Sequence, residues 1–415
     1  MWATTAVEPV LRAHLPIWQA ELRQLATWWS NVARDPQGGF YGEVGLDNQP
    51  LASAPRGLIH NARILYFFSR LARHTLDAEH SACAHHAYEY LAAHFYDAAH
   101  GGYFGLLDAE GRPLDKHKHL YAQAFALYGL TTYYQLTGRA EVLAQALELF
   151  SRLETVAADS QWGGYWEGFA ADWRWLEDGR LCETSPQAAK TANTHLHLLE
   201  AYTALAQASG ETSVRQSLAR LLKVFCVRLV DEPGGHLRLF LTRAWQDCSG
   251  QISFGHDIEA SWLLQSALHA AGDETLLQRY APLAQRLAEV SLNTAWSPRG
   301  GIRDGQSLTG GAYAEERTWW AQAEAFIGYL YAWQRSADSR FAERAIATWQ
   351  FIYTQHRDER LGEWFWFAKD DVKPPLSAYQ LSRNYKSGFW KCPYHNGRAL
   401  IEACELMANI KTAPP

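Results

Sequence analysis

Apolar residues along the chain recur mainly at positions i, i+3, i+4 and i+7, the spacing that collects them on one face of an α-helix. Twelve segments follow this pattern, and glycine-rich or polar stretches separate them. Such amphipathic helices gain most of their stability by packing against one another, so we expect one large helical assembly. The predicted helices span residues 8–33, 62–74, 81–97, 120–136, 140–156, 193–208, 213–230, 256–272, 276–292, 317–333, 340–356 and 395–410.

A second pattern divides these helices into pairs. A short glycine turn followed by aromatic or other apolar residues occurs six times, at intervals of 62 to 71 residues, beginning at Gly38, Gly101, Gly163, Gly234, Gly300 and Gly362. Glycine supplies the positive φ that such turns need, and the alternating residues after it are typical of a short strand. An open solenoid satisfies the same repeat. The aromatic-rich helix starts favour a closed ring, so we predict an all-α fold, an (α/α)6 barrel with β-like turns at one end, as a single domain over residues 1–415.

The helix after each glycine turn starts with more aromatic, His, Asn or Glu residues than its partner, so we place it inside the ring. Parallel inner helices bring their N-termini to one mouth. Free N–H groups and partial positive charge there suit hydroxyl groups and oxyanions. The main candidates for a site at this mouth are Arg63, Tyr121, Asn193, His197, His256, Glu259, Trp319, Trp320, Trp390 and His395.

Spacing indicates which of these side chains share a face. Asn193 and His197 are four residues apart and lie on one helix face, whereas His195 points away from it. His256 and Glu259 are three residues apart, so we expect them to touch. A carboxylate beside an imidazole orients the ring and raises its basicity, which predicts an acid/base role for the pair.

Composition narrows the choice of partners. The chain carries 38 Lys and Arg against 44 Asp and Glu, a formal charge of −6, which argues against a nucleic acid or an anionic membrane as a partner. It has 18 Trp, 20 Tyr and 17 Phe, and aromatic faces that stack on sugar rings explain part of this excess. We expect a small-molecule carbohydrate substrate, and a monomer or a weak homo-oligomer.

The sequence offers no signal for a cofactor or for export. No HExxH, paired-cysteine or GxGxxG pattern is present, so we expect no metal and no cofactor. The first residues do not form a signal peptide, and no apolar stretch is long enough to span a membrane. Six cysteines without a framework fit reduced thiols in the cytoplasm.

Several motifs together resemble the N-acylglucosamine 2-epimerase superfamily and, within it, the cellobiose 2-epimerases. The resemblance covers about residues 8 to 408 and rests on KTANTHLHLLEAYTAL (190–205), FGHDIEASWLL (254–264), RTWWAQAEAF (317–326) and KSGFWKCPYHNGR (386–398), with support from 56–71 and 118–130. It implies an (α/α)6 barrel and metal-free epimerisation at C2 of a reducing-end aldose. It also implies His256 and His395 as the acid/base pair, within a site formed by Arg63, Tyr121, Asn193, His197, Glu259, Trp319, Trp320 and Trp390.

The chemistry assigns further roles. Ring opening creates the C1 carbonyl that makes the C2 hydrogen acidic, and two bases on opposite faces of an enediolate then exchange it. Arg63 and Asn193 are the natural donors to the enediolate oxygens. His197 is a candidate for ring opening, and Glu259 for orienting His256.

Other functions stay open. Cellobiose 2-epimerases tend to carry an acidic residue before the NTHLH motif, where this chain has Ser185, so mannose 2-epimerases are an option. Proton return to C1 gives a mannose isomerase. Glu259 and Glu324 are the carboxylates available to a glycoside hydrolase, which needs two. A non-catalytic sugar-binding protein is the fourth hypothesis.

We also predict that residues 303–316 form a lid over the site.

Overall fold

The computed structural model describes residues 7–181 and 186–409. Helices dominate it, and single π-helical turns at 29–33, 91–95 and 225–229 extend three of them. The helices are α1 (Val7–Trp28), α2 (Leu58–Thr75), α3 (Ala78–Tyr90), α4 (Leu120–Thr137), α5 (Ala140–Val156), α6 (Ala192–Ser209), α7 (Thr212–Val224), α8 (Phe254–Ala271), α9 (Glu274–Thr294), α10 (Trp319–Ser336), α11 (Ser339–Gln355), α12 (Ala378–Leu381) and α13 (Tyr394–Asn409), with a 3-10 turn at Lys369–Asp371.

The helices form two concentric rings. The inner ring consists of α2, α4, α6, α8, α10 and α13, each packed against the next, and α13 packs back on α2. The outer ring consists of α3, α5, α7, α9, α11 and the N-terminal α1, which packs against α13 and α11. The predicted (α/α)6 barrel is therefore confirmed, with the helix after each glycine turn inside. No helix in the described part of the chain is long and apolar enough to cross a membrane.

Short strands gather at the end of the ring where the inner helices begin. They are β1 (Val44–Gly45), β2 (Arg56–Gly57), β3 (Leu106–Leu107), β4 (Pro113–Asp115), β5 (Lys118–His119), β6 (Gly168–Phe169), β7 (Lys190–Thr191), β8 (Val230–Asp231), β9 (His236–Leu237), β10 (Phe240–Leu241), β11 (Gln251–Ser253), β12 (Gly305–Ser307) and β13 (Tyr385–Ser387). All pair antiparallel, as β1–β13, β2–β3–β4, β5–β6, β7–β10, β8–β9 and β11–β12. The β1–β13 pair joins the first repeat of the ring to the last.

The predicted glycine turns connect each outer helix to this strand layer. At the third turn Gly163 and Gly164 have φ of 74° and 73°, and the flanking residues Ala158 and Tyr165 form a β-bridge. A Cβ at Gly164 would lie 2.6 Å from the ring of Trp245, so only glycine fits. The turns therefore fix the start of the following chain segment close to the ring.

Buried ion pairs fasten four of these turns to the segment that precedes the next inner helix. Lys190, directly before α6, donates to Asp159 at 2.8 Å and to the carbonyl of Gly163 at 2.6 Å. Because breaking a buried pair leaves an uncompensated charge, each pair holds the start of an inner helix in place. The equivalent pairs are Arg56–Asp35, Lys118–Asp97 and Lys386–Asp358.

Five inner helices end at a residue with left-handed backbone. Gly138, Gly210 and Gly272 occupy this position after α4, α6 and α8, but Leu76 and Ala337 occupy it after α2 and α10, with φ of 58° and 55°. A side chain in this region of φ and ψ clashes with its own backbone, which glycine avoids.

Leu76→Gly should therefore stabilise the protein. Leu76 is 88% exposed, so its side chain contributes little packing. We expect the free energy of unfolding to rise by about 0.5–1 kcal/mol, the strain relieved less the extra entropy of an unfolded glycine. Denaturant unfolding measures this, and Leu114→Gly, at an exposed leucine in β4, should instead destabilise. A loss of stability in both variants would contradict the interpretation.

Candidate active site

A cavity of about 200 Å³ opens where the inner helices begin. Its wall includes all ten of the main candidate residues, drawn from all six inner helices and the segment before α13. These are Arg63, Tyr121, Asn193, His197, His256, Glu259, Trp319, Trp320, Trp390 and His395. The structure thus brings the ten residues together, and their individual roles remain predictions.

His395 stands at the start of α13 with one ring nitrogen already engaged. Its Nδ1 lies 2.6 Å from Oε1 of Glu324, on α10. Burial, with Arg63 and Arg398 nearby, lowers the pKa of His395 well below its usual value, so the ring is neutral. A neutral imidazole that donates from Nδ1 keeps a lone pair on Nε2, the form required of a base.

His256, at the start of α8, is fixed in a similar way. Its Nδ1 lies 2.7 Å from the hydroxyl of Ser253. Burial, His197 and Arg63 lower the pKa of His256 to about 3, so it is also a neutral imidazole. The indole of Trp320 lies 4.8 Å from the ring of His256 and 5.5 Å from that of His395, measured between ring centroids. The two imidazoles therefore flank one aromatic surface.

The predicted contact between His256 and Glu259 is wrong. Both residues are on α8, but Oε1 of Glu259 accepts a hydrogen bond from Nη2 of Arg398 at 2.6 Å, and the same oxygen lies 3.9 Å from Nδ1 of His395. Burial and Glu324 raise the pKa of Glu259 to about 7. The spacing of three residues allowed the contact, but the buried guanidinium across the ring is the stronger partner.

Arg398 organises the floor of the site. This side chain is 1% exposed and donates to three carboxylates: Glu200, Glu259 at 2.6 Å and Glu324 at 2.6 Å. The carboxylates come from three different inner helices, α6, α8 and α10. Arg398 follows His395 by three residues in α13, but nothing local in the sequence indicated these contacts.

Glu200 is a site residue that sequence reasoning missed. Its Oε2 lies 3.1 Å from Nδ1 of His197, and it also accepts hydrogen bonds from Tyr394 and Arg398. Burial works against its charge, but Arg398 and His197 outweigh it and lower the pKa of Glu200 to about 2. The signal was present, because Glu200 follows His197 by three residues in NTHLHLLE.

Several buried polar atoms of the wall have no hydrogen-bond partner among the described residues. They are Nε of Arg63, Oδ1 of Asn193, Oε2 of Glu259 and Nε1 of Trp319. Buried polar groups are normally paired, so this set indicates a ligand with several hydroxyl groups. The guanidinium of Arg63 is held by Tyr121, whose hydroxyl accepts from Nη2 at 2.6 Å, and lies 4.0 Å over the ring of Phe125.

Three further residues line the cavity that the sequence did not single out: Trp366, Tyr379 and Arg383. Trp366 follows the sixth glycine turn, so the aromatic pattern after that turn could have indicated it, whereas the other two lie in or beside the short α12.

The candidate lid 303–316 contributes no residue to the described wall of the cavity. His195 points away as expected, accepting from the backbone N–H of Tyr165 at 3.1 Å. Ser185 lies outside the described residues.

Glu259, Glu324 and His395 are close enough to hold a metal ion. However, Nη2 of Arg398 already lies 2.6 Å from both carboxylates and fills the position that a cation would take.

The same contacts with Arg398 place the carboxylates of Glu259 and Glu324 side by side. A hydrolase needs them on opposite sides of a glycosidic bond, so the geometry does not support that alternative.

Activity should therefore survive removal of divalent metals. We expect turnover after exhaustive dialysis against EDTA to equal that of the untreated protein, because a guanidinium occupies the metal-sized position. The measurement is a steady-state rate before dialysis, after it, and after adding back Mg²⁺, Mn²⁺ or Zn²⁺. Activity that is lost and then restored by one of these ions would contradict the prediction.

The fold and the cavity define a class, the (α/α)6 barrels with a site at the N-terminal end of the inner helices. Within it, the profile of the N-acylglucosamine 2-epimerase family matches residues 39–382, and the chain belongs to that family.

Within this family, the chain is more similar to cellobiose 2-epimerases than to a D-mannose isomerase. The chain is 36% identical over 381 residues to the cellobiose 2-epimerase of Bacteroides fragilis, covering 92% of this chain and 95% of the relative. The structure of the cellobiose 2-epimerase from Spirochaeta thermophila superposes with a TM-score of 0.89 at 35% identity, over 98% and 99% of the two chains. The D-mannose isomerase of Marinomonas mediterranea is more distant, at 23% identity over 94% of this chain and 96% of that enzyme.

Proposed function

We propose that this protein is a cellobiose 2-epimerase, which inverts C2 of the reducing-end glucose of a β-1,4-linked disaccharide. The relatives support an isomerase that acts on carbohydrate. The observation that carries the proposal is the pair of neutral imidazoles, His256 and His395. Each is held through Nδ1, and both contact the indole of Trp320.

The reaction follows from this arrangement. Once the sugar ring opens, one imidazole takes the C2 proton through its free Nε2, and the electron pair moves onto the C1 oxygen as an enediolate forms. Arg63 donates to the developing oxyanion through its unpartnered Nε–H, and Asn193 donates through its side-chain N–H group, while the unpartnered Oδ1 of Asn193 accepts from a substrate hydroxyl. The second imidazole, after taking up a proton from solvent on Nε2, delivers that proton to the opposite face of C2, and the enediolate collapses to the epimeric aldehyde. The first imidazole then releases the proton it took from C2 to solvent, so that both rings are neutral again.

The other residues prepare the substrate. His197, whose Nδ1 is engaged by Glu200, assists ring opening by moving a proton between the ring oxygen and the C1 hydroxyl. Trp319, Trp320 and Trp390 line the cavity and exclude water from the enediolate.

A second cavity supports a disaccharide over free mannose or glucose. It has a volume of about 150 Å³ and shares Asn193 and His256 with the first cavity. The two together offer room for a second sugar ring beside the reacting one. The greater similarity to cellobiose 2-epimerases than to D-mannose isomerase supports the epimer over the ketose as product.

Incubation in D2O with cellobiose, mannose or glucose tests the proposal, with products resolved by chromatography and NMR. We expect cellobiose to give its C2 epimer with deuterium at C2 and no label at C3 or C4, because an imidazolium exchanges its proton with solvent. Faster turnover of mannose than of cellobiose would show that the preferred substrate is a monosaccharide. A ketose labelled at C1 would indicate an isomerase, release of glucose a hydrolase, and no change a binding protein.

We further propose that residues 1–415 act as one catalytic domain in the cytoplasm, as a monomer or a weak homo-oligomer. The five described cysteines are free thiols, which supports a reducing compartment. Size-exclusion chromatography with light scattering measures the oligomeric state.

A further inference from the structure

A larger cavity of about 490 Å³ lies at the opposite end of the ring from the candidate active site. All six inner helices contribute to its wall, through residues that lie between the middle of each helix and its C-terminal end. The two cavities are therefore separated by the buried floor around Arg398.

The wall of this larger cavity carries three arginines, Arg70, Arg73 and Arg335, and two glutamates, Glu200 and Glu402. Arg70 is compensated by Glu402 at 2.8 Å and Glu405 at 3.0 Å. Arg335, in the last turn of α10, is different. Its three guanidinium nitrogens are buried and have no hydrogen-bond partner in the described part of the chain. An uncompensated guanidinium thus lies at the cavity wall.

A second arginine of the wall also lacks a carboxylate. Arg73 donates to the neutral amide oxygen of Gln135 at 2.8 Å. The acidic residues of the wall, Glu200 and Glu402, are already bound by Arg398 and Arg70. Neither Arg73 nor Arg335 therefore has an acidic partner within the cavity.

The lack of an acidic partner in the cavity is reflected in the pKa values of Arg335 and Arg73, both of which are lowered. Burial lowers the pKa of Arg335 to about 10, and burial together with Arg70 lowers the pKa of Arg73. The C-terminal ends of the inner helices offer partial negative charge to a cation here. These helix ends do not supply hydrogen-bond acceptors to the N–H donors of Arg335 among the described residues. A buried cation without acceptors is costly, unless a bound ligand supplies the acceptors.

We propose that this cavity binds a phosphate-type oxyanion carried by a small sugar-sized molecule, with Arg335 and Arg73 as its donors. Guanidinium groups match the geometry of phosphate oxygens, which accept two parallel hydrogen bonds. The wall also carries two stacked aromatic pairs, Tyr66–Tyr128 and Trp262–Tyr331, with ring centroids 4.3 and 5.6 Å apart. Their surfaces suit the organic part of such a ligand. The site is independent of the proposed epimerase activity.

Isothermal titration with inorganic phosphate, glucose 6-phosphate and neutral glucose tests the proposal. We expect both phosphates to bind the wild-type protein, and Arg335→Gln to weaken each at least tenfold. Arg344→Gln is the matched control: Arg344 lies on α11, stacks 4.3 Å over Trp296, and also has an unpartnered nitrogen, but lies outside this cavity. Its affinities should equal those of the wild type.

A second variant controls for the possibility that Arg335→Gln loses binding because it misfolds. Arg73→Gln alters a less buried side chain and should also weaken binding, while circular dichroism reports the helical content of each variant. Tighter binding of glucose 6-phosphate than of inorganic phosphate would show that the organic part contributes, and equal binding would show recognition of the oxyanion alone. Either result supports the site. No binding by the wild type, equal binding of glucose, or wild-type affinity in both cavity variants would overturn it.

Discussion

Replacing either His256 or His395 by alanine should lower kcat by roughly 10²–10⁴-fold, the usual contribution of a positioned acid/base group. Each imidazole is neutral and engaged through Nδ1, so each variant removes one of two proton-transfer groups. His85→Ala is the control, because His85 lies exposed on the outer helix α3. Steady-state rates with cellobiose and circular dichroism of all three variants are the measurements.

Isotope exchange separates a two-base mechanism from simple loss of activity. In D2O the variant that retains one base should still exchange the C2 hydrogen of one epimer without forming the other. The His256 and His395 variants should differ in which epimer exchanges, since the two bases act on opposite faces. Exchange of the same epimer in both variants, or near-normal turnover in either, would contradict the assignment.

Local periodicity was sufficient to predict the helix pairs, and the aromatic-rich helix starts favoured a closed ring over an open solenoid. The predicted segment 140–156 coincides with α5, and the glycine turns lie where the repeat placed them. The inner position of the first helix in each pair followed from its richer helix start. These features are local, because helix faces and turn glycines depend on residues close in sequence.

The site was predictable as a set of residues but not as a set of contacts. Inner helices that run in parallel bring their first turns to one mouth, so the ten candidates meet there. Which carboxylate binds which base depends on residues from different helices, as in Glu324–His395 and Glu259–Arg398. Spacing within α8 favoured Glu259–His256 because it could not register Arg398, more than a hundred residues away in sequence.

The wall contributed by Tyr379 and Arg383 escaped prediction for another reason. Between Phe367 and Tyr385 the regular elements are only the 3-10 turn Lys369–Asp371 and the four residues of α12. Arg383 lies 5.4 Å over the ring of Trp366, a contact that orders the segment at the cavity. Cation–π contacts of this kind leave no periodic signal in a sequence.

Arg398→Leu should lower the free energy of unfolding by about 3–5 kcal/mol, the cost of leaving buried charges without their partner. Glu200, Glu259 and Glu324 all lose the same guanidinium. Arg340→Leu, which breaks an exposed pair with Asp338, should cost about 1 kcal/mol or less. Denaturant unfolding at pH 7 compares the two variants.

The pH dependence of the Arg398→Leu variant tests the cause of the loss. In the wild type the pKa of Glu200 is lowered to about 2, so this carboxylate contributes stability above its unfolded pKa and loses it as the pH falls toward 2. Without Arg398, burial raises the pKa of Glu200 above its usual value in the folded state. It also raises the pKa values of Glu259 and Glu324, which burial has already raised in the wild type, still further. Each then takes up a proton on acidification and ceases to destabilise. The stability difference between variant and wild type should therefore shrink from pH 7 to pH 5. A difference that is constant or grows over that range would show that Arg398 stabilises the floor by packing rather than by charge.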